Sequence, residues 1–275
     1  MQWKMDWGGF AVSLYLHQFN WMLLWRPDVM LCLVLLGGAY AALIGPCGQT
    51  FGFATPARKD QVMTFALVLA ILYIAMGSPL NLIAQRCLFT AYVLQMLLMT
   101  QVVPPLLFLA LPSWVWESVA TSSARKKFLK IASSPMVALI AYNTLAAACL
   151  LPGVVQANLS NDLVHFVLQG SLVLSAVFLW WPLMSTVQAL PQLTPGAKLI
   201  YLLFAGNLMM PIAVFLFFSV NAWYPTYTQT AAEIGFPPIE DQQLGALLMA
   251  VGMLLIYAAR ALPAFVFYSE SIWYK

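Results

Sequence analysis

Apolar runs long enough to cross a bilayer recur seven times along this chain. They lie at about 28–47, 61–78, 83–111, 135–154, 161–182, 198–222 and 242–268. A crossing needs about 20 mostly apolar residues. Backbone in lipid must satisfy its own hydrogen bonds, and for runs of this length that means helix. The sequence is therefore expected to fold as an all-α integral membrane protein, a bundle of seven transmembrane helices. Composition agrees: 63% of the 275 residues are hydrophobic and 8% charged, where a soluble domain carries about 25% charged residues. Residues 1–275 read as a single membrane domain. Its first 26 residues read as an interfacial segment, with the Phe10–Trp25 run interrupted by His17, Gln18 and Asn20. No small-residue cleavage site follows that run, so it does not read as a secretory signal.

The loops set the orientation. Arg58, Lys59, Arg125, Lys126, Lys127, Lys130, Lys198 and Lys275 all fall on one side of the seven spans. Asp162, Glu233, Glu240 and Asp241 fall on the other. The bias of Lys and Arg toward the cytoplasm puts the N-terminus outside and the C-terminus inside. Trp180-Trp181-Pro182 then marks the inner interface, and Trp223, Tyr224 and Tyr227 the outer one. Segment 113–133 ends in ARKKFLK and reads as an inner-surface amphipathic stretch that favours anionic headgroups.

Several chemistries are excluded by shortage. There are two histidines, His17 and His165, and nine acidic residues. The cysteines Cys32, Cys47, Cys87 and Cys149 show no CxxC spacing and read as small apolar packing residues. The net charge of +3 is too small to suggest nucleic acid. The only charge well inside a span is Arg260, which argues against a transporter. The chain is not expected to be an enzyme.

The stretch Leu88–Pro112 carries the clearest candidates. Tyr92, Met96 and Met99 share one helical stripe with Gln95 beside them, and the double proline Pro104-Pro105 follows. The run is too long for one straight crossing, so a kink or a final surface segment is expected at the prolines. In the fifth span Asn158, Asp162, His165 and Gln169 recur at helical spacing. In the seventh Gln242, Met249 and Met253 share a stripe that begins beside Asp241, and the sixth carries Asn207, Met209 and Met210. One interpretation is a polar, thioether-lined pocket open to the outside, in which thioether and imidazole side chains hold Cu(I). Thioether and imidazole suit that ion better than any hard cation. The other is structural: Tyr92 and Gln95 bond between helices, His165 pairs with Asp162, and the methionines fill space.

The order of motifs resembles the CtaG-type cytochrome c oxidase assembly factors, seven-span bacterial membrane proteins. The likeness runs through Arg26-Pro27-Asp28, Ser78-Pro79-Leu80, Leu88-Phe89 with Gln95, and Pro104-Pro105-Leu106-Leu107 with Leu111-Pro112. It continues with His165 ahead of Trp180-Trp181-Pro182, then Tyr224-Pro225-Thr226-Tyr227 and Asp241-Gln242-Gln243-Leu244-Gly245. The resemblance implies a bacterial inner-membrane protein that delivers copper during biogenesis of a heme–copper oxidase. It also implies histidines at two positions of the third span and two of the fifth. Here Tyr92 and Met96 stand at the first two, and His165 with Gln169 at the others. Two functions are left open: an assembly factor presenting copper through Met96, His165 and Met99, or a structural subunit of a respiratory complex that has lost the metal. Either way the partners would be oxidase or other respiratory-complex subunits and membrane lipid.

Overall fold

The computed structural model describes residues 16–17, 19–44, 58–119, 122–184, 187 and 193–273. Residues 1–15, most of the expected interfacial segment, lie outside them. Every regular element described is helical. In chain order they are α1 (Trp21–Trp25), α2 (Pro27–Ile44), α3 (Lys59–Leu72), α4 (Pro79–Arg86), α5 (Phe89–Leu97) and α6 (Val103–Ala110). Then come α7 (Ser113–Val119), α8 (Ser123–Ala132), α9 (Pro135–Cys149), α10 (Pro152–Ser160) and α11 (Asp162–Met184). The last four are α12 (Pro195–Asn207), α13 (Met210–Phe218), α14 (Pro225–Glu233) and α15 (Pro238–Trp273). Single π-turns, Tyr73–Gly77 and Leu98–Val102, extend α3 and join α5 to α6.

Among the described residues, six helical segments are long and apolar enough to cross a membrane: Trp21–Ile44, Lys59–Gly77, Phe89–Ala110, Asp162–Met184, Pro195–Phe218 and Pro238–Pro263. A seventh arises if α8 and α9, bent by 66° at their junction, count as one. The protein is thus an all-α, multi-span membrane protein.

Several span boundaries differ from the sequence reading, three of them for a clear local reason. The first crossing-length helix begins at Trp21, not 28, with Arg26 in left-handed backbone (φ 33) at the junction of α1 and α2. The third crossing begins at Phe89, not 83. Ser78 caps a separate helix, α4, and Leu88 returns to extended backbone before α5. The fourth helix ends at Cys149, not 154, because Pro152 starts α10 as its first residue.

Pro104-Pro105 does not end the third span. A proline ring removes an N–H and crowds the carbonyl four residues earlier. Here the chain widens into the π-turn just upstream, where Val103 N–H reaches back to the Leu98 carbonyl. The prolines then occupy the first turn of α6, where a missing N–H costs little.

The main core gathers α5, α9, α11, α12 and α15 around Phe89, Tyr92, Tyr142, Trp180, Tyr201 and Tyr257. Between α5 and α15 the backbones approach closely. A Cβ on Gly245 would meet the Phe89 ring at 2.7 Å, and one on Gly252 would meet Leu97 at 3.0 Å. Small residues at such contacts are how membrane helices gain packing in the absence of a hydrophobic drive between them. A satellite cluster of Tyr40, Phe65 and Ala110 ties α2 and α3 to the end of α6.

Candidate functional site

Broken helices inside a membrane expose carbonyls that lipid cannot satisfy. In this protein the donors come from side chains of other helices. Tyr92 donates to the Cys149 carbonyl at 3.0 Å and Tyr224 to that of Leu150 at 2.9 Å, together closing the end of α9. Tyr227 donates to Ala84 at the end of α4, at 2.6 Å. Tyr40 donates to Ala110 at the end of α6, at 2.9 Å. Gln95 donates to the Ala75 carbonyl at 2.7 Å and to Asn81 at 2.9 Å. Ala75 stands four residues before Pro79, whose nitrogen has no hydrogen to offer it. Gln242 donates to Leu216 near the end of α13 at 3.1 Å and accepts from Trp223 N–H at 2.9 Å.

The opposite polarity appears at the start of α5. The Asp241 carboxylate accepts from the N–H groups of Phe89 at 2.6 Å and Thr90 at 3.0 Å, the first turn of α5. Thr90 returns a hydroxyl bond to the Asp241 carbonyl at 2.8 Å. A negative charge at a helix N-terminus meets both unpaired donors and the positive end of the helix dipole. This is how a carboxylate 1% exposed is tolerated.

Below these caps lies a buried chain that sequence reasoning missed. Tyr257 donates to Gln101 Oε1 at 2.9 Å, and Gln101 Nε2 to Tyr142 at 2.5 Å. Tyr142 donates to Thr100 Oγ1 at 3.1 Å, and Thr100 to the Met96 carbonyl at 2.7 Å. Trp180 Nε1 donates to the Thr100 carbonyl at 3.3 Å, while its ring stacks on Tyr257. The signal was present: Thr100 is four residues before Pro104, so its carbonyl needs a donor from elsewhere.

The candidate residues are therefore distributed as follows. Tyr92, Gln95, Met96 and Met99 are all buried in the bundle. Asp241 and Gln242 are buried caps that border a void of about 10 Å³, about the minimum for one water. Asn158 does not share a helix with Asp162, His165 and Gln169, because Asn161 is extended (φ −139, ψ 114) and separates α10 from α11. Asn158 is nevertheless buried, with neither side-chain amide atom paired. Asp162 is exposed, and His165 and Gln169 are half-buried.

His165 and Met96 are not brought together. Tyr92 bonds to Cys149 and Gln101 to Tyr142, so α9 runs antiparallel to the third span. Helix α11 packs on α9 and returns from its Cys149 end, parallel to the third span. Trp180 meets Thr100. At about 1.5 Å per residue, Met96 lies about 6 Å and His165 about 22 Å from that meeting point toward the Cys149 end. Their levels differ by about 16 Å on the same rise. Among the described residues no three His, Cys, Asp or Glu side chains gather as a metal site.

Caps at broken ends, a π-turn ahead of a double proline and a buried carboxylate of α15 on the first turn of α5 characterise this multi-span bundle. The chain belongs to the cytochrome c oxidase caa3 assembly factor family, Caa3_CtaG, whose sequence model matches residues 38–270. It is thus a cytochrome c oxidase assembly factor by family, in agreement with the motif resemblance. No curated protein and no solved structure matches it.

Proposed function

We propose that the chain works in a bacterial cytoplasmic membrane as a non-catalytic assembly factor that holds a component of a heme–copper terminal oxidase. In this reading its third span contributes architecture rather than a copper site. The supporting observation is the commitment of Tyr92, Gln95, Asp241 and Gln242 to helix ends. The rival reading treats copper as cargo presented by Met96, Met99 and His165. Ligand atoms sit about 2 Å from a bound transition metal, so donors on levels about 16 Å apart would have to act in succession rather than as one site.

Cells lacking the chain provide the test, complemented with wild type or with the double variant Met96→Leu, His165→Ala. The expected outcome is equal recovery of oxidase activity and heme absorbance. Loss of oxidase with the variant present at wild-type abundance, reversed by added copper, would establish the rival.

A further inference from the structure

An apolar groove of about 210 Å³ runs between α12 and α15 on the lipid-facing side of the bundle. Leu199, Leu202 and Leu203 form one wall, with Leu254, Ala258 and Ala261 opposite. Leu203 is 63% exposed and Leu254 60%. Its two polar side chains are already committed, Tyr257 to Gln101 and Asn207 to the Leu203 carbonyl.

The two helices run antiparallel along the groove, so Lys198 and Arg260 come together at its Leu199–Ala261 end. They stand close enough to repel each other. Neither is ion-paired among the described residues, where the pairs are Arg26–Asp28 and Arg58–Asp60. Arg260 makes one long bond, 3.4 Å, to the Leu183 carbonyl. Two half-buried like charges on membrane-crossing helices are costly without a counter-charge.

We propose that this groove holds one anionic phospholipid, its phosphate between Lys198 and Arg260 and an acyl chain along the leucine walls. Leu199 to Met210 covers roughly 16 Å of helix, about the hydrocarbon depth of one leaflet in a core of about 30 Å. A groove of about 210 Å³ is too small to take in a helix about 10 Å across. Basic pockets between spans are a recurrent headgroup site.

The test is native mass spectrometry of the full chain in mild detergent, incubated with phosphatidylglycerol, phosphatidylcholine or glycerol phosphate. One phosphatidylglycerol per chain is expected to survive, with phosphatidylcholine retained much less. Lys198→Gln should weaken phosphatidylglycerol retention by about fivefold, from the worth of one basic residue at a lipid surface, without changing the unfolding temperature. Leu203→Trp, which fills the groove and leaves both cations in place, should also release the lipid. Equal retention of the two lipids, or no effect of Lys198→Gln, would overturn the proposal. So would displacement of the lipid by glycerol phosphate at equal concentration, because that would make the groove irrelevant.

Discussion

Tyr92 occupies a position where the family resemblance implies a histidine, and its hydroxyl spends itself on the Cys149 carbonyl. Tyr92→Phe should therefore lower stability by about 1–2 kcal/mol, the cost of leaving a buried acceptor unpaired. The change should leave the protein's copper content unaltered. Asp241→Ala orphans two N–H groups at once, one buried and one half-buried, and should cost about 3 kcal/mol or more. Asp241→Asn, which keeps one acceptor, should cost less. Thermal unfolding in detergent ranks the three. Wild-type stability for Asp241→Ala would break the capping argument.

A pH effect belongs to the same scale. Burial lifts the Cys87 thiol from 9.0 to about 11 and raises the phenols of Tyr224 and Tyr227 above their ordinary 10.0. Raised values mean that the folded state holds these protons more tightly than the unfolded chain does. The Cys87 contribution is complete below about pH 9 and is lost as pH climbs through about 11, and those of Tyr224 and Tyr227 begin to fall above about pH 10. The unfolding midpoint should fall steadily over that window. A flat profile would mean that these groups ionise freely in the fold.

At the scale of elements, the third span depends on one exchange: Pro104 withholds an N–H from the Thr100 carbonyl, and Trp180 supplies one. Trp180→Phe should then destabilise less when Pro104→Ala is already present, since the restored N–H competes for that carbonyl. A coupling of about 1 kcal/mol is expected for groups in direct contact, and simple additivity would contradict the exchange. Gly245→Ala should cost about 1–3 kcal/mol by overpacking against Phe89. The helical runs were legible in the sequence because apolar length alone reveals them. The break at Ser78 was legible, since the second run ends there; those at Leu88 and Asn161 were not, because no proline or glycine marks them. Polar stripes on the third and seventh spans were legible as facing inward. Their partners were not, since Cys149 and Leu216 offer backbone carbonyls and leave no mark in the side-chain pattern.

The whole molecule is a bundle whose interior polar groups serve its own broken helices, set on the scaffold of an oxidase assembly family. The lipid-exposed first spans, with only Tyr40 buried in α2, leave apolar surface for a membrane partner. Mild-detergent purification separates a transient assembly factor, recovered free, from a permanent subunit, recovered stoichiometrically with an oxidase. The central claim concerns copper, and copper per chain after Cu(I) loading and removal of excess metal tests it most directly. The account predicts far less than one equivalent, the same for wild type, Met96→Ala and His165→Ala. One tightly held equivalent in the wild type, lost in either variant, would contradict it.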